Sequence, residues 1–151
     1  MNVQEELKSL KQRIAELEEP AKEEQEFPQD GDEYWYMSTT GNVYDENWEG
    51  FDFEEDALEI GNVFKTKEQA EFAVEKLKVE AELRKFSRPF KEDEYNYFIL
   101  FDSSYNNIVV DSDDCYQTQG TFYFDSEKIA LEAIDTVGEY HIKKYIFGVE
   151  G

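Results

Sequence analysis

Basic residues are scarce in this chain. Of its 151 residues, 15 are Lys or Arg and 37 are Asp or Glu, which leaves a formal charge of −22. A surface so short of cations repels nucleic acid and anionic membranes and is drawn to basic partners. Solubility alone also accounts for an excess of one sign. Cysteine occurs once, as Cys115, so an internal disulfide framework is excluded and a reducing cytoplasm is the expected compartment. No apolar run approaches the roughly 18 residues of a membrane span, and no basic-then-apolar leader is read. Neither a spanning segment nor secretion is therefore expected.

The scarcity of His and Cys also narrows the chemistry. His141 is the only histidine, and no Ser or Cys sits in a nucleophile motif such as GxSxG. Cys115 has no basic or histidine neighbour to draw out its thiolate. One Cys and one His do not make a zinc site. The stretch from Asp111, DSDDCYQTQGTFY, opens like a calcium loop but lacks Gly at its sixth position and Glu at its twelfth. No pair of carboxylates stands out for glycoside chemistry, and there is neither a Gly-rich phosphate loop nor a helix-turn-helix pattern. The expectation is a protein that is not an enzyme, with no metal and no cofactor.

What is abundant is aromatic. Twelve Phe and ten Tyr, within 40 % hydrophobic residues, are enough to bury a core. The chain opens with Val3, Leu7, Leu10, Ile14 and Leu17 at alternating spacings of four and three, the seam of a heptad helix. Leu7 and Ile14 fall at a; Val3, Leu10 and Leu17 fall at d. In a parallel pair Glu6 would face Lys11 of the neighbour, and Arg13 would face Glu18, both with opposite sign. Residues 1–19 are thus expected to self-associate through Leu7, Leu10, Ile14 and Leu17. Residues 20–33, with Pro20, Pro28 and many acids, read as a solvated linker.

From residue 34 to 151 one plan is written twice, in halves 34–89 and 94–138 with a tail at 139–151. Strand, turn and strand come first: Trp35 to Met37 with Val43 and Tyr44 around Gly41, then Tyr95 to Phe101 with Ile108 to Val110. An acidic connection follows in each half. A short third strand leads into a capped helix, Val63–Phe64 into Thr66 and Thr121–Phe124 into Ser126, with the two caps 60 positions apart. Gln69 completes a capping box in the first helix, which is expected to run to about Phe86, before Pro89. Ala70, Ala73, Val74, Leu77 and Ala81 form one apolar stripe on it, and Phe72, Val79, Leu83 and Phe86 a second. The expected fold is α+β: a doubled β-β-β-α unit sharing an antiparallel sheet of about six strands with two helices, preceded by an N-terminal coiled-coil helix.

Charge is distributed unevenly along this plan. Residues 23–64 hold 14 acids and no Lys or Arg, and residues 92–127 hold nine acids and again none. Asp45 to Glu59 sets eight acids among Trp48, Phe51 and Phe53. These rings either plug a sheet edge or anchor a partner within a field of carboxylates. In the second case the partner-binding residues are Trp48, Glu49, Phe51, Asp52, Phe53, Glu54, Glu55 and Asp56, with Asp111, Asp113 and Asp114 in the corresponding connection of the second half. Carboxylates then stand where phosphates would lie, and aromatic rings where bases would stack.

The segments EYWYMSTTGNVY, IGNVFKTKEQAEFAVEKLKVEAEL and IKKYIFGVEG resemble a loosely defined family of small proteins encoded by phages and prophages of Gram-positive bacteria. The resemblance covers residues 33–90 and, more weakly, 95–151. It implies an accessory protein of a mobile element acting in the cytoplasm of an infected bacterium, in a setting where small acidic proteins counter host defence.

Three functions are then in view. The first is an inhibitor that binds a host defence protein with a basic surface, of anti-CRISPR or anti-nuclease type, by mimicking nucleic acid. The second is an oligomeric sponge for a nucleotide immune signal, with Arg84, Lys85, Arg88 and Lys91 on phosphate and Phe86 and Phe90 stacking a base. Cations at a helix C-terminus also simply suit the dipole. The third is a phage structural or assembly protein, in which the coiled coil is the function.

Overall fold

The computed structural model describes residues 2–150; side chains of residues 18–25 are outside the description. Ten elements follow one another: α1 (Val3–Gln25), β1 (Glu33–Met37), β2 (Val43–Asn47), α2 (Asp52–Glu59), α3 (Lys67–Phe86), β3 (Asn96–Asp102), β4 (Asn107–Asp113), α4 (Glu127–Val137), α5 (Glu139–His141) and a π-helical turn over Ile142–Ile146. The chain divides into two units, Met1–Ala70 and Glu71–Gly151, so the division falls inside α3.

In the first unit α1 begins where Asn2 accepts the N–H of Glu5 at 2.9 Å. It runs past the expected end at residue 19 and takes the first part of the expected linker, through Pro20 to Gln25. The residues after Pro20 are mostly good helix formers, and their propensity carries the helix on. Val3, Leu7, Leu10, Ile14 and Leu17 are between 50 and 74 % exposed. The heptad seam therefore stands uncovered along the helix.

β1 and β2 form an antiparallel hairpin in which Tyr34 lies opposite Glu46 and Tyr36 opposite Tyr44. Gly41, at φ +87°, supplies the left-handed residue of its turn. Beyond Met37 the sheet is continued by the Asn62 side chain, whose Oδ1 accepts the Met37 N–H and whose amide donates to the Met37 carbonyl, at 2.8 and 2.9 Å.

The second unit is built on the β3–β4 hairpin, paired from Asn96↔Asp113 to Asp102↔Asn107. Alternation puts Tyr97, Ile99, Ile108 and Val110 on the core face. Against them lie Val79 and Leu83 of α3, Phe124 in the segment before α4, Ala130 and Ala133 of α4, and Ile142 of the π turn. On α3 the buried positions run Ala70, Val74, Val79, Leu83. Burial passes from one expected stripe to the other, and Leu77 and Phe72 stay exposed.

The α+β class stands, but the six-stranded sheet does not. Two separate two-stranded sheets are present among the described residues. The expected third strands are reduced to isolated bridges, Phe64 to Trp35 in the first half and, in the second, Tyr123 to Arg88 and Phe124 to Tyr97. Phe64 exchanges both backbone hydrogen bonds with Trp35, each at 2.8 Å, and Phe124 exchanges both with Tyr97, at 2.8 and 3.2 Å. Segments this short, each leading straight into a helix cap, do not extend a ladder further. The doubled plan is nonetheless visible in the Phe64 and Phe124 bridges and in the caps behind them. Thr66 Oγ1 accepts the Gln69 N–H at 3.2 Å, and Ser126 Oγ accepts the Ile129 N–H at 3.1 Å.

Candidate functional site

The acidic connection of the first half is not a loop. Asp52–Glu59 is the helix α2, and its first turn carries Asp52, Glu54 and Glu55, the sign the helix dipole favours there. Phe51 at the N-cap has no side chain to satisfy the opening turn. Glu54 does that work from within: its Oε1 accepts the N–H groups of Glu49 and Phe51 at 3.0 and 3.1 Å. Its Oε2 accepts the Tyr34 hydroxyl at 2.7 Å. Glu54 is only 2 % exposed. Burial pushes its carboxyl up, but the phenol and backbone donors outweigh burial and hold it below the ordinary glutamate value. The Tyr34 phenol is pushed up, first by burial and then by its bond to the carboxylate and the charge of Glu54.

Trp48, expected among the exposed anchors, is 6 % exposed and sets its ring edge-on against Tyr34 at 5.6 Å. It and Glu54 hold the unit together rather than display themselves. Phe51 and Phe53 are the opposite case. They are 50 and 67 % exposed, and their rings stack on one another at 5.6 Å and 21°. Glu49, Asp52, Glu55 and Asp56 are exposed around them. A cleft of about 240 Å³ opens between the hairpin and α2, lined by Tyr34, Tyr36, Glu46, Asn47, Glu49, Phe51, Phe53, Glu54 and Ala57. Tyr36 and Glu46 were missed in the sequence. The turn at Gly41 fixes a register that puts them on one face with Tyr34 and Tyr44, and that register was the available signal.

Asp111, Asp113 and Asp114 belong to the second unit. Asp111 is exposed at a position paired with Phe98. Asp113 Oδ1 accepts the N–H groups of Cys115 and Tyr116 at 2.7 and 2.8 Å, which holds its carboxyl below the ordinary range. The Cys115 thiol is pushed up by its hydrogen bond to Asp114 and by that residue's charge, which works against forming a thiolate. His141 is exposed, with Nδ1 3.1 Å from the Val137 carbonyl.

The cations offered for a nucleotide are mostly engaged elsewhere. Arg88 pairs through Nε with Asp125 and donates from Nη1 to Asn96 Oδ1 at 2.6 Å and to the Pro89 carbonyl at 2.9 Å. Asn96, fully buried, also accepts the Lys91 N–H and donates to the carbonyls of Lys91, Glu94 and Asp113. Phe90 sets its ring edge-on to Tyr123 at 5.2 Å, and Phe86 packs on the core. Arg84 is exposed in the last turn of α3. Arg88 is thus a clamp that closes the base of the β3–β4 hairpin.

Among the described residues no group of three or more His, Cys, Asp or Glu is arranged to hold a metal ion, and no helix is long and apolar enough to cross a membrane. No protein-family model matches this chain, and comparison with curated proteins and with solved structures finds no match either.

Proposed function

We propose that this protein is a non-enzymatic binding protein that occupies the basic, nucleic-acid-binding surface of a host defence protein and inhibits it. The observation that carries the reading is the stacked, exposed pair Phe51–Phe53 at the head of an acidic helix. Exposed rings in a ring of carboxylates suit a groove that otherwise takes bases and phosphates. The excess of acids over residues 23–64 supports long-range attraction to such a groove. The resemblance to phage and prophage proteins supports the setting.

The test reverses Asp52, Glu55 and Asp56 to Lys, three exposed positions of α2. The wild-type protein, used as bait in bacterial lysate at low salt, should retain nucleic-acid-binding proteins that leave as salt rises. The reversed variant should lose them. Equal retention by both abandons the reading.

A second reading, self-association through α1, is favoured by the uncovered seam of Val3, Leu7, Leu10, Ile14 and Leu17. It is compatible with the first, since paired chains present two acidic surfaces to one partner. A structural or assembly role would rest on this helix alone.

A further inference from the structure

The cleft beside α2 is more specific than an acidic patch. Three carboxylates line it, Glu54 at its base and Glu46 and Glu49 exposed, and no cation does. Most of the other lining is aromatic, Tyr34, Tyr36, Phe51 and Phe53, with Asn47 and Ala57 completing it. At about 240 Å³ the cleft falls below the roughly 300 Å³ at which pockets for whole small molecules begin, so it suits one side-chain headgroup rather than a nucleotide. A base would also have to bring its phosphate against those carboxylates.

We infer that this cleft receives an arginine side chain of the basic partner, with its guanidinium against the aromatic rings and paired with the carboxylates of Glu46 and Glu49. This deepens the function proposed above and rests on it. Arginine is favoured over lysine by the chemistry of the lining. A guanidinium is flat, stacks on aromatic faces, pairs with carboxylates through its planar fork and gives up its water more readily than an ammonium. An arginine drawn into the cleft is one taken from the partner's own phosphate contacts, which turns charge attraction into competition with nucleic acid.

The experiment titrates the full chain at low salt with a short glycine–arginine peptide, its lysine counterpart and its uncharged citrulline counterpart. Backbone amide shifts are followed by two-dimensional NMR. The arginine peptide should give saturable shifts at Glu49, Phe51, Phe53 and Ala57, the lysine peptide weaker ones, and citrulline none. Phe51→Ala/Phe53→Ala should weaken the arginine peptide by about tenfold. Both rings are exposed, so the fold survives their loss, and the same spectrum reports it. Glu46→Gln/Glu49→Gln is the second variant and should also weaken binding. Lysine and arginine binding equally, or shifts undiminished in both variants, overturn the arginine cleft and leave the acidic-surface reading standing. No salt-sensitive binding of either cationic peptide overturns both.

Discussion

Tyr34 donates its phenolic hydrogen to the buried carboxylate of Glu54 at 2.7 Å, tying the first strand to a helix twenty residues further along the chain. The same carboxylate holds the N–H groups that open α2. One side chain thus joins the hairpin to the helix beside the cleft. Tyr34→Phe removes one partner and should cost about 1–3 kcal/mol of stability, read from urea midpoints. Glu54→Gln should cost at least as much, because a neutral amide is a weaker acceptor for three donors.

The same pair sets two pH limits. The folded pKa of Glu54 lies below its unfolded value, so its contribution is present above about pH 4.3 and is lost as pH falls through the folded value. Stability should rise with pH across that acid window, and the slope should flatten in Glu54→Gln. Tyr34 has a raised folded pKa, so its contribution is full below about pH 10 and is lost as pH rises through the folded value. In an ultraviolet titration the Tyr34 phenol should ionise above the ordinary tyrosine value, and that step should vanish in Tyr34→Phe.

Asn96 gathers Arg88, Lys91, Glu94 and Asp113 around one buried amide. Asn96→Ala leaves several of those groups without partners. Its expected cost is about 2–4 kcal/mol, measured by chemical denaturation. Arg84→Ala, at an exposed site on the last turn of α3, should change stability by about 0.5 kcal/mol or less.

Thr66 and Ser126 cap equivalent helices of the doubled unit. Thr66→Ala and Ser126→Ala should each cost about 1 kcal/mol. The former should be felt in amide exchange at the start of α3 and the latter at the start of α4.

The uncovered seam of α1 makes its own prediction. Light scattering coupled to size exclusion should report a multiple of the chain mass. Leu10→Asp/Ile14→Asp, which puts charge at one a and one d position, should return it to the single-chain mass. A single-chain mass for the unmodified protein removes self-association.

How far the residues reveal this fold depends on whether the signal is local. Gly41, Thr66, Ser126 and Gly138 act within a few positions of themselves, and the hairpin turn, both caps and the end of α4 stand where those residues place them. α2 escaped because its N-cap is Phe51, and the group that satisfies its first turn is Glu54, which looks from sequence like one more acid. The merging of six strands into one sheet was wrong because pairing between halves is tertiary information that neither hairpin carries. Arg88 read as a free cation because the partners that occupy it, Asp125 and Asn96, lie 37 and eight positions away. The exposed ring pair was legible in part: Phe51 and Phe53 were named, while Trp48, of the same aromatic type, went inside.

The written repeat and the compact unit are out of phase. α3 closes the first copy in sequence, yet its Val79 and Leu83 complete the core formed with Phe124, Ala130, Ala133 and Ile142 of the second. Excising residues 34–89 as a cassette would therefore remove two core residues from the copy left behind. A gene carrying one copy alone would need a new helix to fill that gap. The second hairpin and α4 thus depend for their core on a helix that precedes them in the chain.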